Sequence, residues 1–183
     1  KYQLPKRFVL NVGAIESRKN ALEIVKAIDP LEDISLVLVG KPTKYYEEIK
    51  AYCEEHNLSE RVQLLSGVSM EDLAIIYQLA TVFCYPSVFE GFGIPIIEAL
   101  FSKTPVITSK GSCFSEAGGE HSIYVDLDRA AAEIRDAIVN ITKDEALRTQ
   151  MIAKGYHYAQ RFTDDAVFQE LIKVYNQVTG NRS

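Results

Sequence analysis

"YPSVFEGFGIPIIEAL", residues 85–100, starts as the end of an apolar strand, passes through Gly91 and Gly93, and becomes a helix. Pro95 falls where a first helical turn tolerates it, because the N–H it lacks has no intrahelical partner there. The helix therefore starts near Gly93 or Ile94, and a strand, a glycine turn and a helix in this order make one unit of an α/β fold. The two glycines let the backbone approach a ligand closely, with amides turned toward it as in anion-binding turns. Yet a carboxylate stands on each side, Glu90 and Glu98. A loop suited to anions has to have some use for two negative charges beside it.

The flanking sequence repeats the unit. "RFVLNVG" (7–13) is an apolar run ended by Gly, with a helical pattern over 18–28; "ISLVLVG" (34–40) is followed by a helix over about 43–56. "RVQLLSG" (61–67) is third, with Ser69 as a helix cap and Glu71 and Asp72 in the first turn. "TVFCYP" (81–86) leads into the opening stretch, and "TPVITS" (104–109) and "SIYVD" (122–126) complete six strands. Runs apolar on both faces and separated by helix-length segments predict a doubly wound, Rossmann-like parallel sheet with helices on both faces. Residues 7–126 form this α/β core, 1–6 a linker, and 128–183 a helical tail with Asp128, Asp144 and Thr163 as expected caps.

Composition narrows the function. The chain has 183 residues, 47% of them hydrophobic and 25% charged, enough for one well-buried core. A net charge of −5 without a dense cationic run argues against nucleic acid as a partner, though not against one anion held by a few local donors. The three cysteines, Cys53, Cys84 and Cys113, show no CxxC spacing, which fits reduced thiols in a cytoplasmic setting. His56, His121 and His157 are far apart and off ligand spacing, so no metal site is expected. No stretch approaches the ~18 apolar residues of a membrane span, and the sequence, without an initial Met, reads as a piece of something longer.

In such sheets ligands bind beyond the carboxyl ends of the strands. After the first strand, "GAIESRKN" (13–20) sets Arg18 and Lys19 at a helix start, as an anion site or as solvated side chains. After the fourth, Glu98 lies one turn into a helix apolar enough to be buried, where a carboxylate needs donors. A sugar diol supplies two hydroxyls, the chemistry by which dinucleotide folds hold ribose. The amides would then take phosphates and the carboxylates sugar hydroxyls, which gives both charges a use. The plainer alternative is a surface Glu beside an ordinary turn. In "SKGSCFSEAGGE" (109–120), Glu116 is either a ligand contact or part of a short helix, and "DLD" (126–128) is either a helix cap or a metal-binding DxD.

Together these segments resemble the C-terminal half of a GT-B glycosyltransferase of the retaining group 1 family (family 4). "FVLNVGAIESRKN" is similar to the family's first strand and basic loop, and "VQLLSGVSMEDLAIIYQLATVFCYPSVFEGFGIPIIEAL" to its central block. Glu90 to Glu98 reproduces its E-x7-E motif, and "TPVITS" with "SEAGG" resembles the strand and loop beyond. The "GAIESRKN" form looks closest to members that transfer mannose or related sugars. Two departures stand out: Ala14 replaces the usual Arg, and Ser115 replaces the Pro before Glu116.

The resemblance implies a donor-binding domain that takes a nucleotide diphosphate sugar, with no metal or other cofactor, in a transferase with front-face attack. It implies Glu90 and Lys19 as catalytic residues, with Lys19 on the diphosphate and Arg18 helping. It places Glu98 on the ribose, Gly91, Phe92 and Gly93 along the sugar pocket, and Gly67 and Val68 at the base. The acceptor, a glycan or lipid-linked sugar, belongs to an N-terminal domain absent here, which brings a peripheral contact at the cytoplasmic membrane face. Alone, the fragment is expected to be inactive. Alternatives are a sugar-nucleotide epimerase or phosphorylase of GT-B build, or a non-catalytic nucleotide-binding domain.

Overall fold

The apolar runs form six parallel strands in the computed structural model, which describes residues 1–180. They are β1 (Phe8–Val12), β2 (Ser35–Val39), β3 (Val62–Leu65), β4 (Val82–Tyr85), β5 (Val106–Ser109) and β6 (Ile123–Val125), ordered β3-β2-β1-β4-β5-β6. The described residues form eight α-helices: α1 (Ala21–Ile28), α2 (Tyr45–Glu55), α3 (Met70–Leu79), α4 (Ile94–Phe101), α5 (Phe114–Gly118), α6 (Ala130–Lys143), α7 (Glu145–Ala159) and α8 (Asp164–Thr179). The last residues of the expected tail, 181–183, lie outside the described residues.

Alternation along the strands divides the core in two. Val9, Leu36, Leu38, Val82, Cys84 and Ile107 face α1, α2 and α6. Leu10, Val37, Val39, Phe83, Tyr85 and Val106 face α3, α4 and α5, with the end of α7. A strand buried on both faces is apolar at most positions, the pattern the sequence carries. β3 differs: every residue of this edge strand is only half-buried.

Side-chain caps start three of these helices, α3, α7 and α8. Ser69 accepts from the Asp72 amide at 3.2 Å. Asp144 accepts from Leu147 N at 2.9 Å and Thr163 from Ala166 N at 3.4 Å. Asp128 is not a cap: Asp126 accepts the Asp128 amide at 3.1 Å and caps a 3-10 turn ahead of α6. That capping role also accounts for the DLD sequence. No helix among the described residues is long and apolar enough to cross a membrane.

Strand order reverses between β1 and β4, and such a switch point leaves a crevice beyond the carboxyl ends of the two strands. The loops that follow β1 and β4 therefore meet there. They are the two that carry the expected basic and acidic residues.

Candidate functional site

The loop after β1 is not the helix start the sequence suggests. Ser17–Lys19 form a 3-10 turn, Asn20 takes a left-handed conformation (φ 59°), and α1 begins only at Ala21. Asn tolerates that region better than other non-glycine residues. The kink turns Lys19 inward, leaving it 6% exposed, while Arg18 stays at the surface. At the loop's root Gly13 (φ 135°) lies against Gly40, where an added Cβ would stand 1.9 Å from the Gly13 carbonyl oxygen. Ala14 is half-buried and brings no charge.

Across the crevice stands Glu90. Lys19 Nζ reaches Glu90 Oε1 at 2.6 Å, and Arg18 Nη1 reaches the same oxygen at 2.9 Å. Lys19 also donates to the Tyr85 hydroxyl. Arg18 is further tied to Glu16 at 2.9 Å and to the Phe89 carbonyl at 3.2 Å, and its own carbonyl accepts from the Val88 amide at 2.8 Å. The two loops are thus joined by main chain and side chain. Burial works to raise the Glu90 carboxyl, and the bond and charge of Lys19 outweigh it, holding the group below its ordinary value. Burial and the Glu90 charge push the Tyr85 phenol well up, so it stays protonated.

The α4 turn closes the site. Gly91 and Phe92 are exposed, and Gly93 caps α4 with φ 93°, where a Cβ would meet Ala117 Cβ at 3.2 Å. Pro95 occupies the first turn of α4, as its lack of an N–H suggests. Phe92 packs edge-on against Phe162, ring centres 5.8 Å apart. Val88, Phe89 and Ile94 add exposed apolar surface around Glu90.

The remaining candidates separate. Glu98 does not join the Lys19–Glu90 cluster; its Oε2 accepts from the Tyr77 hydroxyl at 2.9 Å in a groove between α3 and α4. That groove has a volume of about 220 Å³ and is lined by Met70, Leu73, Ala74, Tyr77, Glu98 and Phe101. Gly67 (φ 68°) and Val68 follow β3, separated from β4 by two intervening strands, and lead into α3 rather than to Glu90. Glu116 lies exposed on α5, so its helical alternative describes its position.

Three participants were not singled out from sequence. Tyr85 and Ser87 lie at the end of an apolar run, where Tyr reads as core and Ser as turn. Asn11 is buried in β1 and donates to the Cys84 carbonyl at 2.8 Å, tying β1 to β4 beneath the site. A polar residue inside an otherwise apolar strand is the signal that could have found it.

A family model described as Glycosyl transferases group 1 matches residues 2–158. The chain is 36% identical over 163 residues to the O-antigen chain mannosyltransferase RfbU of Salmonella typhimurium, a match covering 88% of this chain and 45% of that protein. Sucrose-phosphate synthase from Thermosynechococcus elongatus superposes with a TM-score of 0.84 at 27% identity, covering 97% of this chain and 46% of that one. Anabaena HepE, solved with UDP and glucose, superposes with a TM-score of 0.83 at 19% identity, over 93% of this chain and 48% of that one, a likeness of fold. The chain spans about half the length of the curated relatives it matches.

Proposed function

Because the chain belongs to the glycosyl transferases group 1 family and has the Rossmann-like fold of one GT-B half, we propose that it is the donor-binding domain of a retaining transferase. The reaction moves mannose or a related sugar from a nucleotide diphosphate sugar to an acceptor hydroxyl. The observation that carries this reading is the meeting of Lys19, Arg18 and Glu90 across the switch-point crevice, beside the glycine turn that starts α4. The mannosyltransferase name of RfbU supports the sugar, and the UDP and glucose held by HepE support the donor class.

In this reading Lys19 and Arg18 neutralise the departing diphosphate, and the Gly91–Gly93 amides line the sugar pocket. Fixed donors of this kind are worth about 3 kcal/mol of barrier each. Two cations and a helix N-terminus supply the charge that a metal supplies elsewhere, so the reaction proceeds without one. Glu90 sits at the transferred sugar during front-face attack. Glu98 holds the ribose, its free oxygen completing with Tyr77 a site for a diol, while Gly67 and Val68 border the base. The acceptor, a glycan or lipid-linked sugar, is held by an N-terminal domain, and the whole enzyme works in the cytoplasm with a peripheral contact at the membrane face. The isolated domain binds donor nucleotide weakly and does not transfer.

Calorimetric titration of the domain with GDP, UDP and ADP, repeated on Glu98→Ala, tests the reading. One nucleotide should bind, and the substitution should abolish it. Transfer by the full-length protein with the anomeric configuration inverted, or epimerisation without transfer, would overturn the assignment.

A further inference from the structure

Ser87, two residues past the end of β4, carries a wholly buried hydroxyl that has no hydrogen-bond partner among the described residues. Its backbone is fixed on both sides. The Ser87 carbonyl accepts from Ser109 Oγ at 2.7 Å, and the next amide, of Val88, donates to the Arg18 carbonyl at 2.8 Å. Only rotation of the side chain remains free. A buried hydroxyl left unpaired costs free energy, so a fold that keeps one calls for a second state in which the bond is made.

The surroundings identify that state. Ser87 Oγ lies beside Tyr85 and Glu90 without a bond of good geometry to either, and its influence on both side chains is to favour the charged form. Glu90 presents only Oε1 to Lys19 and Arg18. No hydrogen bond of good geometry reaches its Oε2 among the described residues, although the Tyr85 and Ser87 hydroxyls both lie near the carboxylate. Ser87 has no solvent-exposed surface, so it acts through a neighbour and not on a ligand.

We propose that Ser87 is a positioning residue for Glu90, rotating its hydroxyl onto Oε2 when an incoming diphosphate draws Lys19 and Arg18 away. The proposal rests on the donor-domain reading above. A partly buried carboxylate that loses both cations needs a replacement donor to stay charged and in place. Ser87 supplies that donor by one torsion, with no movement of main chain, and so keeps Glu90 beside the transferred sugar.

The test compares Ser87→Ala, Ser87→Cys, Glu90→Gln and the double variant in the full-length enzyme. Ser87→Ala should lower kcat about tenfold, the worth of one hydrogen bond to a charged group, with the donor KM within about threefold. Its thermal midpoint should be unchanged or raised, since the deleted hydroxyl is unpaired in the free protein. The acid limb of its kcat profile should move to higher pH, because the charged carboxylate loses a donor in the complex. Ser87→Cys, a weaker donor, should recover part of the rate, and in the Glu90→Gln background Ser87→Ala should add no further loss. A kcat within twofold of the parent, a rate loss that tracks a lowered midpoint, or an undiminished loss in the Glu90→Gln background would each overturn it. If Glu90→Gln itself transfers normally, the role of Glu90 falls and this proposal with it. A wild-type enzyme that transfers no sugar removes the donor-domain reading itself.

Discussion

Glu90 holds two cations on one oxygen, and that arrangement governs what substitutions at the site do. Lys19→Met leaves Glu90 with exposed Arg18 alone and should lower folding stability by about 2 kcal/mol in urea titrations, because a nearly buried partner is lost. In the full-length enzyme the same change should reduce kcat by about 10²-fold, the usual consequence of removing one preorganised donor. Glu90 also predicts a pH dependence. Its carboxyl titrates lower in the folded state than its ordinary value of 4.5, so the stability it contributes is complete above that value. This contribution is lost as pH falls through the depressed folded value. Unfolding of the parent and Glu90→Gln between pH 7 and pH 3 should therefore show a gap that narrows toward acid. At this scale the charged residues were legible, because Lys19 follows Arg18 in a polar loop at a strand end and Glu90 breaks an apolar run beside two glycines. Tyr85 and Ser87 were not, since a phenol in a core strand and a hydroxyl in a turn look alike whether or not they face a site.

The strands and helices were easier to read than the joints between them. Burial on both faces makes β1, β2, β4 and β5 predominantly apolar runs, and each lies within a residue or two of its expected span. The segment after β1 misled because Arg18 to Ile28 has helical periodicity throughout, while the left-handed turn at Asn20 leaves no periodic trace. Asp126 displaced Asp128 as a cap because a short 3-10 turn intervenes before α6. The contact between Gly40 and Gly13 was invisible too, since it joins two strand ends 27 positions apart only after β1 and β2 pair in register. It yields a prediction at the same scale. Gly40→Ala places a methyl inside the Gly13 carbonyl and should cost about 3 kcal/mol in chemical denaturation. It should also weaken nucleotide binding, because the Gly13 backbone borders Lys19. Gly93→Ala should cost about 1–2 kcal/mol for its positive φ alone.

The whole molecule is uneven in what its parts contribute. α8 has no buried residue, and Val167, Phe168, Leu171, Val174, Tyr175 and Val178 are exposed along it. Removing residues 164–183 should therefore move the thermal midpoint of this chain by less than about 3 °C and reduce concentration-dependent association in sedimentation. The sheet holds the opposite lesson. β1 pairs with β2 over five residues but with β4 over only Val9–Val82 and Leu10–Phe83. That seam is where the two halves of the sheet meet, and it is closed above by Lys19–Glu90 and below by Phe8 and Thr81, whose backbones bond at 2.9 Å. During synthesis the first half can assemble as its strands emerge, whereas the seam waits for a partner more than seventy residues downstream. A molecule lodged in the crevice grips both halves at their weakest join, so nucleotide should slow the unfolding rate and act as a late folding clamp.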